Sequence, residues 1–134
     1  MKQMLVLMVM SAFLLVAGCA SAPVGPDAVE LGVDFEWQTS DRCSSRSPEI
    51  RVTNIPPATQ TLKIRLKDRD VPTWNHGGGS VAYKGSGVIP AGALKNGYNG
   101  PCPPRGTHRY EFTVQALDAA GTIVGSGKRM RPFP

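Results

Sequence analysis

The sequence predicts an all-β domain, an antiparallel β-sandwich with one long ordered loop region and few or no helices beyond its first eighteen residues. Three observations predict it. Apolar residues recur with a period of two in several separate segments, the signature of half-buried strands. Glycine (15) and proline (12) punctuate a chain of 134 residues, a composition that favours short strands and turns. Past residue 18 there is neither a sustained helical period nor an internal repeat.

The N-terminus is of a different kind. Met1-Lys2-Gln3 is short and basic, and Met4 to Ala17 is apolar apart from Ser11, the layout of a secretory signal. The run is shorter than the about 20 apolar residues a membrane-spanning helix needs. It ends in Val16-Ala17-Gly18-Cys19, which resembles the processing box of bacterial lipoproteins. Residues 1–18 are therefore expected to be a lipoprotein signal peptide, and Cys19 the acylated first residue of the mature chain. Each buried CH₂ contributes about 0.8 kcal/mol, and two or more chains make a stable anchor. No aspartate follows the cysteine, where Ala20 and Ser21 stand. The expected location is the bacterial cell envelope, on the outer membrane facing the periplasm.

Residues 19–30 read as the lipidated N-terminus and a tether, small and without period, and residues 31–134 as the β domain. Leu31, Val33, Phe35 and Trp37 alternate with polar residues or glycine as a first strand. Ile50 and Val52 follow as a second, stopped by Asn54-Ile55-Pro56-Pro57. Leu62, Ile64 and Leu66 alternate with Lys63, Arg65 and Lys67 in the clearest strand of all. Tyr110, Phe112, Val114 and Ala116 form another, and Ala119-Ala120-Gly121 turns into a last one at residues 122–127. Between Asp68 and Arg105 the chain reads mostly as loop, with a short strand at residues 80–84. So long a loop in a small domain signals function or disorder. Trp74, Tyr83, Ile89, Leu94 and Tyr98 need apolar partners, which argues for order.

Charge and cysteine usage narrow the function classes. The net charge of +5 is modest and its basic residues are scattered, so Lys63, Arg65 and Lys67 read as a solvated strand face and no nucleic-acid partner is expected. Beyond Cys19, the even pair Cys43 and Cys102 reads first as a disulfide in an oxidising compartment, the alternative being two reduced, buried thiols. No Cys-x-x-Cys spacing exists, and neither a metal nor a cofactor is expected.

Three polar clusters border or lie in the long loop: Asp68-Arg69-Asp70-Val71-Pro72, Trp74-Asn75-His76-Gly77-Gly78-Gly79, and residues 100–110 (GPCPPRGTHRY). Singly they are weak signals. Together they resemble the phosphatidylethanolamine-binding protein (PEBP) family, also called Raf kinase inhibitor-like proteins. Asp68, Asp70 and Pro72 match its Asp-x-Asp-x-Pro motif. Gly100, Pro103, Pro104, Gly106, His108 and Tyr110 match its Gly-Pro motif, and Ala116-Leu117-Asp118 its next signature. The resemblance implies a PEBP-like fold of two packed antiparallel sheets. It also implies a small pocket at one end for phosphate, acetate or phospholipid headgroups.

The ligand-binding residues implied are Asp68, Asp70, His76, Pro103, His108 and Tyr110, expected to converge on one solvent-accessible concavity. Arg105 and Arg109 read as solvated. Two departures qualify the match: Gly77 follows His76, where larger members carry a bulky residue, and the chain runs only to Pro134 after Asp118. Both suggest a more open pocket. The leading expectation is a non-catalytic, membrane-anchored domain for an anionic small molecule or phospholipid headgroup. The alternatives are an envelope protein-interaction or inhibitor module with a vestigial pocket, and an enzyme or metal protein using His76, His108, Asp68 and Asp70. No catalytic motif supports the last, and no catalytic residue is assigned.

Overall fold

Alternation of apolar and polar residues lets one face of each strand shed water while the other stays hydrated, and here it builds two sheets around one core. The computed structural model describes residues 21–95 and 97–134, so the expected signal peptide and the acylation site Cys19 lie outside the described residues. The strands are β1 (Val24–Glu30), β2 (Gly32–Phe35), β3 (Ile50–Thr53), β4 (Thr61–Asp68), β5 (Asn75–Ala82), β6 (Val88–Ile89), β7 (His108–Leu117) and β8 (Ile123–Phe133). A 3-10 turn spans Thr39–Asp41. One sheet has the order β1-β8-β7-β4-β5 and the other β2-β3-β6.

The core lies between them. Leu31, Val33, Phe35, Ile50, Val52 and Ile89 come from or beside the small sheet, and Leu62, Ile64, Leu66, Tyr110, Phe112 and Val114 from the large one. Phe35 meets Phe112 edge-to-face across the gap at 4.9 Å. Removing a side chain of this size from water stabilises the fold by about 1.5–3 kcal/mol. The expected all-β class holds, and so do the expected second strand and Leu62–Leu66 strand.

Four features differ from the expectation. Residues 24–30, read as part of a tether, form β1, which pairs parallel with β8, so the sandwich is not wholly antiparallel. The segment carries little apolar alternation because it is an exposed edge strand. Trp37 lies beyond the end of β2, packed against the core. β8 runs to Phe133, well past residue 127, because it pairs with β7 along its whole length.

The fourth difference is β5, which takes residues 75–79 of the second cluster, His76 included, into the sheet. Its three glycines have no side chains to show a period. Gly78, at φ 151°, lies so close to β4 that a Cβ there would overlap the Ile64 carbonyl oxygen. Gly77, at φ 68°, is pressed on the Gly97 carbonyl in the same way. Only glycine admits these approaches.

Candidate functional site

β4 and β7 are antiparallel neighbours in register, with Leu62 opposite Ala116, Leu66 opposite Phe112 and Asp68 opposite Tyr110. The inward row of β4 therefore reads Leu62, Ile64, Leu66, Asp68, apolar until its last member. The inward row of β7 likewise opens with His108 and Tyr110 before Phe112. Where the core reaches the end of the sandwich, it becomes polar. His76 joins from β5, buried on the same side.

Asp68 is 3% exposed and fully engaged. Its Oδ1 accepts the backbone N–H groups of Asp70 (2.8 Å) and Val71 (3.0 Å), which turns the chain out of the strand. Its Oδ2 lies 2.7 Å from His108 Nδ1. Burial alone would raise the Asp68 pKa, but the His108 hydrogen bond and the two N–H groups outweigh it and hold the carboxyl below its ordinary 3.8. An ionised carboxylate only accepts, so His108 donates from Nδ1 and its Nε2 is left to face elsewhere. His76 is set the same way: its Nδ1 lies 2.8 Å from the Asn99 carbonyl oxygen, an acceptor. Neither Nε2 makes a hydrogen bond to a described residue.

Tyr110 joins the two histidines. Its ring stands edge-on to His76 at 5.3 Å and stacks with His108 at 6.3 Å. The residue is wholly buried, and its hydroxyl has no hydrogen-bond partner within the described residues. The Asp68 carboxylate and the Cys102 backbone are its polar neighbours. Burial first, then the charge of Asp68, push its pKa up to about 12.

Asp68, His76, His108 and Tyr110 thus converge as expected, while Asp70 and Pro103 take other parts. Asp70 turns to the surface and forms a forked pair with Arg109, 2.7 Å to Nη2 and 3.2 Å to Nε, and accepts the Arg109 N–H. That pairing holds its pKa near 2. Arg109, expected to be merely solvated, braces this turn. Pro103 is fully buried, and its carbonyl accepts from Arg42 (3.0 Å), which also reaches the carbonyl of Pro134. The Cys43–Cys102 disulfide is present, with Cα atoms 4.6 Å apart, and Cys43 N–H donates to Pro101 O (2.8 Å). Loop 100–107 is thereby fastened to the chain before β3.

The expected solvent-accessible concavity is not what these residues form. Asp68 and His76 are each 3% exposed, Tyr110 is sealed, and His108 keeps 15% of its side chain open. The four described hollows of the surface are lined by other residues; one of them, of about 670 Å³, is walled by Trp37, Arg42, Arg131 and Phe133. The small residue after His76 does not open the site, because Gly77 is packed on Gly97.

Two residues were missed in the sequence. Asn99 holds His76 through a backbone atom, which no sequence pattern announces. Arg42 could have been suspected, since it precedes Cys43 and a bridge to Cys102 carries it to Pro103. Among the described residues, no group of three or more His, Cys, Asp or Glu is arranged to hold a metal ion.

The model of the phosphatidylethanolamine-binding protein family matches residues 25–131. The chain belongs to this family. Its sequence is similar to the UPF0098 protein YbhB of Escherichia coli K12, 34% identical over 110 residues, covering 59% of this chain and 70% of YbhB. It is also similar to a UPF0098 protein of Methanothermobacter thermautotrophicus, 31% identical over 91 residues, covering 54% of this chain and 60% of that protein. The chain thus spans only part of the length of these relatives.

Two solved structures share the fold. A PEBP homologue, CT736 of Chlamydia trachomatis, has a TM-score of 0.61 at 21% identity, covering 81% of this chain and 98% of the other. E. coli YbcL, described as a member of the mammalian PEBP family, has a TM-score of 0.58 at 18% identity, covering 77% and 97%. Membership makes this PEBP-family chain a domain of a general binding type.

Proposed function

We propose that this PEBP-family chain is a non-catalytic binding domain for an anionic small molecule or phospholipid headgroup, held on the envelope membrane by lipid on Cys19. The observation that carries the reading is the buried Tyr110 hydroxyl, unpartnered among the described residues, between two histidines whose Nδ1 atoms are fixed and whose Nε2 atoms bond no described residue. A buried polar group without a partner costs about 1–3 kcal/mol, and a ligand oxygen or an ordered water would relieve it. His108, braced by ionised Asp68, supplies the donor that a phosphate oxygen needs when its ring is protonated. The outer membrane facing the periplasm is the location this reading gives the domain, supported by the Val16-Ala17-Gly18-Cys19 box with no aspartate after it.

Calorimetric titration with inorganic phosphate and with phosphoethanolamine tests the reading. His108→Ala is expected to weaken binding by about 1.5–3 kcal/mol, the range for a hydrogen bond to a charged group. Equal binding in wild type and variant, or none in either, defeats it.

One observation favours the second reading, an envelope protein-interaction or inhibitor module with a vestigial pocket: the convergent residues line none of the described hollows. Absence of phosphate binding, with a partner retained by the purified protein, would select that alternative.

A further inference from the structure

The outward face of the large sheet lies opposite the histidine site and has a composition of its own. Lys63, Arg65 and Lys67 are exposed along β4, about 7 Å from one to the next at strand spacing. Across β7 and β8 the same rows carry Thr113 beside Lys128, and Glu111 beside Met130. Glu111 is 3.8 Å from Arg69. Lys63, Arg65, Lys67 and Lys128 form no ion pair with any described residue.

A shallow hollow of about 520 Å³ runs along this face. At one end stands Trp74, 64% exposed, in the turn that follows Asp68 and Asp70. Ser21 and Ala22 line the same hollow, so the chain enters the domain on this side. Cys19 precedes Ser21 by two residues, which span at most about 7 Å of extended chain. Lipid on Cys19 therefore leaves the protein beside the unpaired cations.

We propose that the outer face of the five-stranded sheet is a bilayer-docking surface. The Lys63-Arg65-Lys67 row and Lys128 rest on anionic phospholipid headgroups, with Trp74 at the interface, where an amphipathic ring is favoured. The inference rests on the Cys19 anchor of the proposed function and adds an orientation to it. The turn holding Asp68 and Asp70 then sits at the membrane edge, with the partly exposed His108 ring on the same side of the sandwich end.

The test uses the mature protein as exported, reconstituted into vesicles of brominated phosphatidylcholine with or without one-third phosphatidylglycerol. Tryptophan quenching is read for wild type, for Trp74→Phe, and for the triple variant Lys63→Glu, Arg65→Glu, Lys67→Glu. Quenching is expected on the anionic vesicles, absent in Trp74→Phe and reduced by high salt. Each cation favours an anionic surface by roughly five-fold, so the triple variant should lower the face-down population by roughly 100-fold or more and lose the quenching. Acylated protein that floats with the vesicles while Trp74 stays unquenched, or is quenched equally on neutral vesicles, overturns the docking face alone. An intact mass without acyl groups, with no flotation, overturns the anchor and the docking face with it.

Discussion

Replacing Tyr110 with phenylalanine removes one oxygen from the centre of the candidate site and leaves the ring where it packs. The residue is wholly buried, its hydroxyl lacks a partner among the described residues, and its ring packs on His76 and His108. A hydroxyl in that position carries an uncompensated desolvation cost of about 1–3 kcal/mol. Tyr110→Phe should therefore stabilise the unliganded protein by about 1–2 kcal/mol, or roughly 4–8 °C in Tm for a domain of this size. Binding should move the other way. If the hydroxyl donates to a bound phosphate, its loss weakens affinity by about ten-fold, the worth of one hydrogen bond. At phosphate equal to 100 times the wild-type Kd, ligand stabilisation would fall from about 2.7 to about 1.4 kcal/mol. Differential scanning calorimetry with and without phosphate measures both quantities in one experiment. A variant less stable than wild type without phosphate would mean that the hydroxyl has a partner in the fold, and the reasoning would fail.

Three further predictions concern the frame around the site. Asp68 is held ionised below its ordinary 3.8, so its contribution to stability is complete above that value and is lost as pH falls through its lower folded pKa. Asp68→Asn should flatten the acid limb of a Tm-against-pH curve below about pH 4, and an unchanged slope would refute the assignment. The disulfide closes a loop with a sequence separation of 59, worth about 4 kcal/mol in the chain-entropy model, so Cys43→Ser with Cys102→Ser should lower urea stability by about that amount. Two alkylatable thiols in the native, unreduced protein would contradict the bridge. Gly78→Ala should cost more than about 2 kcal/mol in a denaturant titration, because its Cβ would meet the Ile64 carbonyl at φ 151°. A neutral result would show that β5 does not run against β4 as described.

The strands that build the site were legible because their side chains report which face is buried. Leu62-Ile64-Leu66 and Tyr110-Phe112-Val114 each place one row inward, and an aspartate at the next inward position of β4 marks where the core ends. The structure pairs these two strands antiparallel, and that pairing brings Asp68 to His108. The resemblance groups Asp70 with Asp68, but the two N–H groups captured by Asp68 end the strand and turn Asp70 out to Arg109.

From the sequence alone came the all-β class, the family resemblance, the two central strands, the first reading of Cys43 and Cys102 as a disulfide, and four residues, Asp68, His76, His108 and Tyr110, that meet at the sheet's end. Each is written in local pattern or in a contiguous motif. The tertiary structure decided the rest. It set β1 parallel beside β8, drew β5 into the sheet through glycines that carry no periodic signal, and closed the histidine site instead of leaving it open. It also gathered the cations of β4, Lys128 of β8 and the entering chain onto one face. Such features depend on pairing between residues far apart in the chain, where hydrogen bonds and close backbone approach choose the register and side-chain alternation is silent.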